Sequence, residues 1–372
     1  MQRTSDLNIA GAAPLVSPAV LKGRFPMTAR SNRTVVESRE VIKAILNLQD
    51  PRLLAIVGPC SIHDTEAALE YAGLLQELRR ELEDRIYLIM RVYFEKPRTS
   101  LGWQGMILDP HLDGSSDIGE GLSVARRLLL EITAMEVPAA TEMLDPIVPQ
   151  YIDDLLSWAA IGARTTESQT HRNMASGLSM PVGFKNNTEG NLQTAVDAMS
   201  AALQSHSFIG IDQEGRTSVL RTRGNPHTHI ILRGSRTRAN YGARDLARTI
   251  GLLQSAGFPP AIMVDCSHGN SRRRPARQQA VLRSIVGKRR RGMREIIGFM
   301  LESNLRDGTQ HIASDRRDLE YGVSVTDPCL GWSKTEALLR DTCEALGSAT
   351  TCEAGGSSRR RKHNTQGTAF RT

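Results

Sequence analysis

Aromatic side chains are scarce, with only 4% of the 372 residues Phe, Trp or Tyr. That scarcity removes the stacking platforms used to hold single-stranded nucleic acid, although the chain carries a net charge of +7 and a pI near 9.4. Residues 357 to 372 hold Arg359, Arg360, Arg361, Lys362 and Arg371 and no acid, so the remainder nets only +2. The runs Arg272 to Arg274, Lys288 to Arg291 and Arg359 to Lys362 contain no aromatic residue and read as solvated charge, not a nucleic-acid surface.

Other absences narrow the class. No apolar stretch approaches the ~18 to 20 residues of a membrane span, and no apolar core follows Met1 to Asp6, so neither a membrane segment nor a secretory leader is expected. No Cys-x-x-Cys pair occurs. The five cysteines (Cys60, Cys266, Cys329, Cys343 and Cys352) are odd in number and irregularly spaced, which argues against a disulfide framework and for a reducing, cytoplasmic compartment. No Gly-x-Gly-x-x-Gly follows the first apolar run, which weighs against a doubly wound dinucleotide-binding sheet.

What is present is a regular alternation. Short apolar runs at 53–57, 87–93, 137–141, 159–163, 181–184, 230–232, 261–264 and 296–301 read as eight strands. Helical spacing fills the intervals 64–82, 122–132, 192–203 and 246–253, as in Leu69, Ala72, Leu75, Leu78 and Leu82. Eight strands alternating with helices predict an α/β fold, a (β/α)8 TIM barrel. Residues 1–50 form an N-terminal arm with a helical pattern at Val41, Ile42, Ile45 and Leu48, read as an addition to the catalytic barrel of 51–346. A β-hairpin with a glycine turn at Gln213-Glu214-Gly215 is inserted at 207–223, and 347–372 read as a disordered basic tail.

In such a barrel the chemistry sits where strands end. Cys60 follows the first run, and Arg91, Glu142, Arg164, Lys185, Arg233, His268 and Glu302 stand at or just past the ends of the others. Cys60, His268, Glu302 and Asp327 offer a thiolate, an imidazole and two carboxylates, a donor set suited to divalent Mn, Fe, Co or Zn and not selecting among them. Arg91, Lys96, Arg98, Arg164, Lys185 and Arg233 form a cationic set fitted to phosphate or carboxylate oxygens. The bland alternative is that each cation pairs with an acid such as Glu95, Asp109 or Glu142 on a solvated rim.

The blocks Gly58-Pro59-Cys60-Ser61-Ile62-His63-Asp64, Met90 to Thr99, Ile161 to Gln169, Pro181 to Asn186 and His229 to Gly234 resemble, in order, the signatures of class I 3-deoxy-D-arabino-heptulosonate 7-phosphate (DAHP) synthases. The similarity runs to about residue 346. The resemblance implies a transferase that condenses phosphoenolpyruvate with erythrose 4-phosphate in the first step of the shikimate pathway. It implies Arg91, Lys96, Arg164, Lys185 and Arg233 at phosphoenolpyruvate, with Glu142 beside them. It puts Arg98 and Thr99 at erythrose 4-phosphate, and Cys60, His268, Glu302 and Asp327 at the metal. Lys96, Arg91, Cys60 and His268 are the expected catalytic groups.

The resemblance also implies an aromatic amino acid effector at Asn8, Pro149, Gln150, Ser179, Phe208 and Gly210, and a homodimer or homotetramer. Gly210, Val264 to His268 and Tyr321 to Asp327 resemble the tyrosine-sensitive branch, where a hydroxyl-bearing ring needs extra room. Departures from the pattern are Gln104, Asn187 and the stretch Ser235-Arg236-Thr237-Arg238, one residue longer than usual and next to Arg233. A silent paralogue is disfavoured because every metal and phosphate position holds a competent residue. A synthase using arabinose 5-phosphate is disfavoured by Lys96-Pro97-Arg98-Thr99.

Overall fold

The computed structural model describes residues 2–98, 102–313 and 315–347. The expected tail, 348–372, and Thr99 lie outside the described residues. The strands are β1 (Leu53–Gly58), β2 (Ile86–Arg91), β3 (Ala139–Glu142), β4 (Trp158–Ile161), β5 (Val182–Lys185), β6 (Ser207–Ile211), β7 (Thr217–Arg221), β8 (Thr228–Leu232), β9 (Ile262–Asp265), β10 (Ile296–Asn304) and β11 (Leu330–Gly331). The order β1-β2-β3-β4-β5-β8-β9-β10 closes through parallel pairing of β1 with β10, from Leu54 against Gly298 to Gly58 against Glu302. Closure excludes the open doubly wound sheet and establishes the (β/α)8 barrel. β6 and β7 pair only with each other, antiparallel, and are the inserted hairpin.

Side chains alternate along a strand with period two, and that parity decides what reaches the mouth. Leu54, Ile56, Tyr87, Ile89, Ala140, Trp158, Ala160, Ile231 and Met263 form one buried cluster, whereas Leu53, Ala55, Val57, Leu88 and Val264 belong to the other, against the helices. Continuing the first set outward gives Cys60, Arg91, Glu142, Lys185, Arg233 and Asp265. The interior layer is tight: a Cβ on Gly183 would lie 2.5 Å from Trp158 Cζ2. Trp158 Nε1 donates to His229 Nε2 at 2.9 Å, so burial, which pushes the His229 pKa down to about 4, keeps that ring neutral.

The helices are α1 (Pro18–Arg24), α2 (Ala29–Leu46), α3 (Thr65–Leu82), α4 (Ile118–Ala134), α5 (Pro149–Ile152), α6 (Gln169–Ala175), α7 (Gln193–Leu203), α8 (Ala243–Ser255), α9 (His268–Ser271), α10 (Arg277–Arg290) and α11 (Trp332–Gly347). Asp64 caps α3 by accepting from the amides of Glu66 and Ala67, worth about 1 kcal/mol. α2 is longer than its apolar spacing suggested, because Thr28 caps it at Ser31 ahead of a polar first half. Its Ile42, Ile45 and Leu46 join the barrel's interior cluster, so α2 is the floor of the barrel as well as part of the arm. Leu48 lies beyond the helix, left-handed and 41% exposed.

Candidate active site

Cys60, Glu302 and Asp327 converge, each offering a ligand atom within 4.8 Å of the other two. Ser61 Oγ and Thr326 Oγ1, 2.7 Å apart, tie together the two loops that carry Cys60 and Asp327. Gln278, at the start of α10, pins Glu302 through its backbone, donating to Glu302 O and accepting from Glu302 N, both at 2.9 Å. The fourth expected ligand, His268, lies outside that group of three: its Nε2 is 3.7 Å from Glu302 Oε1, while Nδ1 lies 2.8 Å from Asp265 Oδ2 and 2.7 Å from Ser267 Oγ. A carboxylate on Nδ1 fixes the tautomer that leaves Nε2 with a free lone pair, the arrangement of a metal-binding histidine. His268 adopts φ 52, a left-handed backbone that a β-carbon disfavours and that the surrounding bonds hold. A thiol and two carboxylates converging this closely, with an imidazole nitrogen beside one of them, fit a divalent cation.

Two cations are built into this cluster. Arg91, stacked 3.5 Å over the Tyr93 ring, donates to Pro59 O, Cys60 O and Glu302 Oε1 at 3.0 to 3.1 Å. Lys96 Nζ sits 3.0 Å from Cys60 Sγ and 3.3 Å from Cys60 O. Burial and then Glu302 push the Cys60 thiol up, and Lys96 pulls against them. Burial works against the Lys96 charge, but Cys60, Glu302 and Asp327 outweigh it and hold its pKa above the ordinary range. Although burial opposes its ionisation, Asp327 is held below the usual carboxylate range by Lys96, His268 and Arg273.

Asp265 is the hinge between this cluster and the next. It receives Lys185 Nζ at 3.0 Å on the same oxygen that faces His268, and Ser267 N and Oγ on the other. Burial alone would raise its pKa, yet His268 and Lys185 hold it well below the ordinary value. Beyond Lys185, Arg233 is 8% exposed and its guanidinium makes no hydrogen bond or ion pair among the described residues. Among the described residues, Arg164 donates only to Pro97 O, at 3.1 Å. Burial lowers the Arg233 pKa, Asp265 offsets part of that, and Arg273 and Arg164 push the same way as burial. Crowded guanidinium groups lacking a carboxylate make an anion site. Glu142 fills the space left by the missing Cβ of Gly162, and Arg98 is exposed against Gly102.

Arg91 and Lys185 therefore pair with acids buried in the mouth, Glu302 and Asp265, and not with Glu95, Asp109 or Glu142 on a solvated rim, while Arg164 and Arg233 pair with no acid among the described residues. Asp109 binds the amides of Asp113 and Gly114 instead. Glu95 is buried next to Lys96 and accepts from Asp145 N at 3.3 Å. Burial first, then the Asp145 charge, pushes its pKa up to about 8. A carboxyl raised on folding disfavours the folded state increasingly as pH rises from its unfolded value towards 8. Glu95→Gln is thus expected to raise Tm by about 2 °C or more at pH 9 and hardly at pH 5, measured by calorimetry.

Of the expected effector residues, Pro149 and Gln150 open α5, and Gln150 Oε1 accepts from Gln213 Nε2 at 2.9 Å. The arm joins them there: Ala19 N donates to Gln213 O at 2.7 Å and Tyr151 Oη to Val16 O at 2.8 Å. Phe208 and Gly210 lie in β6 opposite Leu220 and Ser218. Ser179 is exposed in the turn before β5, near the 2.7 Å link from Ser176 to Thr222 at the hairpin base. Asn8 lies in the exposed start of the arm, and no hydrogen bond among the described residues joins it to the others.

The DAHP synthetase I family model matches residues 28–340. The Tyr-sensitive phospho-2-dehydro-3-deoxyheptonate aldolase of Salmonella typhimurium is 53% identical over 91% of this chain and 94% of that protein. The Tyr-sensitive enzyme of Escherichia coli K12 is 52% identical over 93% and 97%, and the Trp-sensitive enzyme of the same strain 49% over 93% and 99%. A solved phospho-2-dehydro-3-deoxyheptonate aldolase from Francisella tularensis superposes with a TM-score of 0.89 at 43% identity, covering 92% of this chain and all of that one. With a closed parallel barrel, a convergent thiol and carboxylate group and, at the same mouth, guanidinium groups that pair with no acid among the described residues, the chain belongs to the DAHP synthetase I family.

Proposed function

We propose that the barrel mouth divides the family's condensation between a cationic substrate cradle and a metal-ligand cluster. The activity is that of a 3-deoxy-7-phosphoheptulonate synthase: phosphoenolpyruvate, erythrose 4-phosphate and water give DAHP and phosphate, the first step of the shikimate pathway. Arg164, Lys185 and Arg233 bind the anionic groups of phosphoenolpyruvate, and Arg98 with Thr99 takes the phosphate of erythrose 4-phosphate. The observation that carries this reading is the buried Arg233 guanidinium, beside Arg164 and paired with no acid among the described residues.

A divalent ion held by Cys60, His268, Glu302 and Asp327 supplies, when bound, Lewis acidity at the aldehyde oxygen. Holding the two anions in line converts their encounter into an effectively unimolecular step and offsets their repulsion. Carbon 3 of phosphoenolpyruvate attacks the aldehyde, and Lys96 donates the proton taken up by the developing alkoxide. Water adds at carbon 2, its released proton replacing the one that Lys96 gave up, and the carbon–oxygen bond to phosphate breaks as carbon 2 becomes the ketone, the remaining hydroxyl proton leaving with the phosphate. Arg91 keeps the Cys60 loop and Glu302 in register through its three bonds. The donor set supports Mn, Fe, Co or Zn, and free cysteines at Cys60, Cys266, Cys329 and Cys343 agree with a reducing cytoplasm. No described helix is long and apolar enough to cross a membrane.

Residues 1–50 and the hairpin 207–223 are the regulatory and assembly elements of this reading, and tyrosine is its effector. A Cβ on Gly210 would lie 2.6 Å from Leu220 Cδ1, so Gly210→Ser narrows the hairpin face and is expected to weaken tyrosine inhibition about tenfold with kcat unchanged. Inhibition curves check this. The cross-strand pair Ile209 and Val219 is 78% and 61% exposed, and a lone two-stranded sheet is marginal in water. A second copy covers this pair in the expected dimer or tetramer. Val219→Asp is therefore expected to shift the protein towards monomer in sedimentation while turnover persists.

Phosphoenolpyruvate loss with erythrose 4-phosphate, before and after chelation and with each aromatic amino acid, tests the whole reading. Metal-dependent turnover inhibited mainly by tyrosine is the expected result. Absence of turnover with every divalent metal would sink it.

A further inference from the structure

The stretch Ser235-Arg236-Thr237-Arg238 borders Arg233, and its altered sequence raises the question of what fixes that guanidinium. The four backbone polar groups of Arg233 and Gly234 answer it. Arg233 N donates to Asn186 Oδ1 at 3.0 Å, and Arg233 O accepts from Asn270 N at 3.2 Å. Gly234 N donates to Asn240 Oδ1 at 2.8 Å, and Gly234 O accepts from Asn186 Nδ2 at 3.0 Å. The three asparagines also join one another: Asn240 Nδ2 donates to Asn186 Oδ1 at 3.0 Å and Asn240 N to Asn270 Oδ1 at 2.9 Å. Asn270 Nδ2 then anchors the group on Leu232 O and Asp265 O, both at 2.9 Å.

All three side chains are buried, at 0%, 6% and 5% exposure for Asn186, Asn240 and Asn270. Asn186 directly follows β5, Asn240 lies in the loop between β8 and α8, and Asn270 lies in α9 after β9, so they tie together the segments that follow three neighbouring strands. A primary amide puts two N–H donors and an acceptor oxygen on one neutral group; aspartate would lose the donors and leucine both. Gly234 itself is left-handed, at φ +75, and a Cβ there would lie 2.7 Å from Asn270 N.

The loop beyond is held by its own bonds and by the segment after β5, where Arg236 N donates to Thr188 O at 3.2 Å. Ser235 N donates to Arg238 O at 2.7 Å, and Ser235 Oγ accepts from Arg238 N at 2.9 Å. Arg236 reaches Glu189 at 3.4 Å, and Arg238 pairs with Asp245. The extra residue is thus absorbed between Gly234 and Asn240.

We infer that Asn186, Asn240 and Asn270 form an amide clasp that positions Arg233 for phosphoenolpyruvate independently of the sequence of loop 235–238, an inference that rests on Arg233 contacting that substrate. Asn240→Ala is expected to raise KM for phosphoenolpyruvate about tenfold while kcat changes less than about threefold, since only the aim of a binding group is lost. In an Arg233→Ala background the same change should add less than about twofold, because the group it aims is gone. Arg236→Ala, Thr237→Ala and Arg238→Ala together should leave KM within about twofold. A raised KM in Arg233→Ala with a normal KM in Asn240→Ala overturns the clasp; a normal KM in Arg233→Ala overturns the substrate contact instead. Backbone amide exchange tests the clasp apart from substrate: Arg233 and Gly234 should exchange slowly in the wild type and about tenfold faster in Asn240→Ser. Wild-type exchange there as fast as at Thr237 overturns it.

Discussion

Replacing Asp265 by asparagine is expected to lower kcat/KM roughly a thousandfold, about 4 kcal/mol at ~1.4 kcal/mol per factor of ten. The carboxylate is 1% exposed and one of its oxygens faces both Lys185 and His268, at 3.0 and 2.8 Å. An amide at that position either turns its own hydrogens towards two donors or gives up its bonds to Ser267. Lys185 then keeps a buried charge with no partner, and His268 loses the group that fixes which ring nitrogen is free. The two losses fall on different observables. Metal affinity should drop about 10- to 100-fold through His268, and KM for phosphoenolpyruvate should rise through Lys185. Ser267→Ala, which removes a hydroxyl on the other oxygen that also lies 2.7 Å from His268 Nδ1, should cost about 1 kcal/mol and leave KM for phosphoenolpyruvate little changed, because Lys185 keeps its partner. An Asp265→Asn enzyme with full metal content and kcat/KM within tenfold of wild type would show that the two halves of the mouth are held independently.

Asp265 also marks where the sequence stops being legible. Eight apolar runs and the strand-end rule predict the barrel and the approximate ends of every strand, because parallel strands buried on both faces read as continuous apolar runs. They point to Arg91, Glu142, Lys185, Arg233 and Glu302 without any contact known. Asp265 stands in the same parity class as Met263, yet it is the last residue of β9, and His268, three residues on, draws attention as the strand's chemical ending. Parity alone would have found it. Gln278 could not be found that way, because it reaches Glu302 from α10, an arginine-rich helix whose weak apolar stripe of Val281, Leu282, Ile285 and Val286 hides among charges. Its Lys288, Arg289 and Arg290, read as a charge run, form the last turn, where cations suit the helix dipole. Asn186, Asn240 and Asn270 are harder still, since a satisfied buried amide and a solvated one look alike in sequence. The spacing in α2 was visible, but not that Ile42, Ile45 and Leu46 plug the barrel floor, which depends on where the closed sheet leaves a hole.

Lys96→Met should reduce kcat by about a hundredfold to ten-thousandfold, the range for removing a positioned general acid. The side chain has two roles that can be separated. Its ammonium is 3.0 Å from Cys60 Sγ and pulls that thiol's pKa down against burial and Glu302. Without it the thiol rises further. Because a thiol must lose its proton to ligate a metal, affinity in the variant should be weaker near neutral pH and recover as pH increases. Lys96→Arg keeps the charge beside Sγ but cannot release a proton at any working pH. Arginine should therefore preserve metal affinity and still lose kcat, whereas methionine loses both near neutrality and only kcat at alkaline pH with excess metal. Turnover retained in Lys96→Met under saturating metal would remove Lys96 from proton transfer and leave it as the counter-charge of the Cys60 thiolate. The proton for the alkoxide would then have to come from another donor within reach of the aldehyde oxygen.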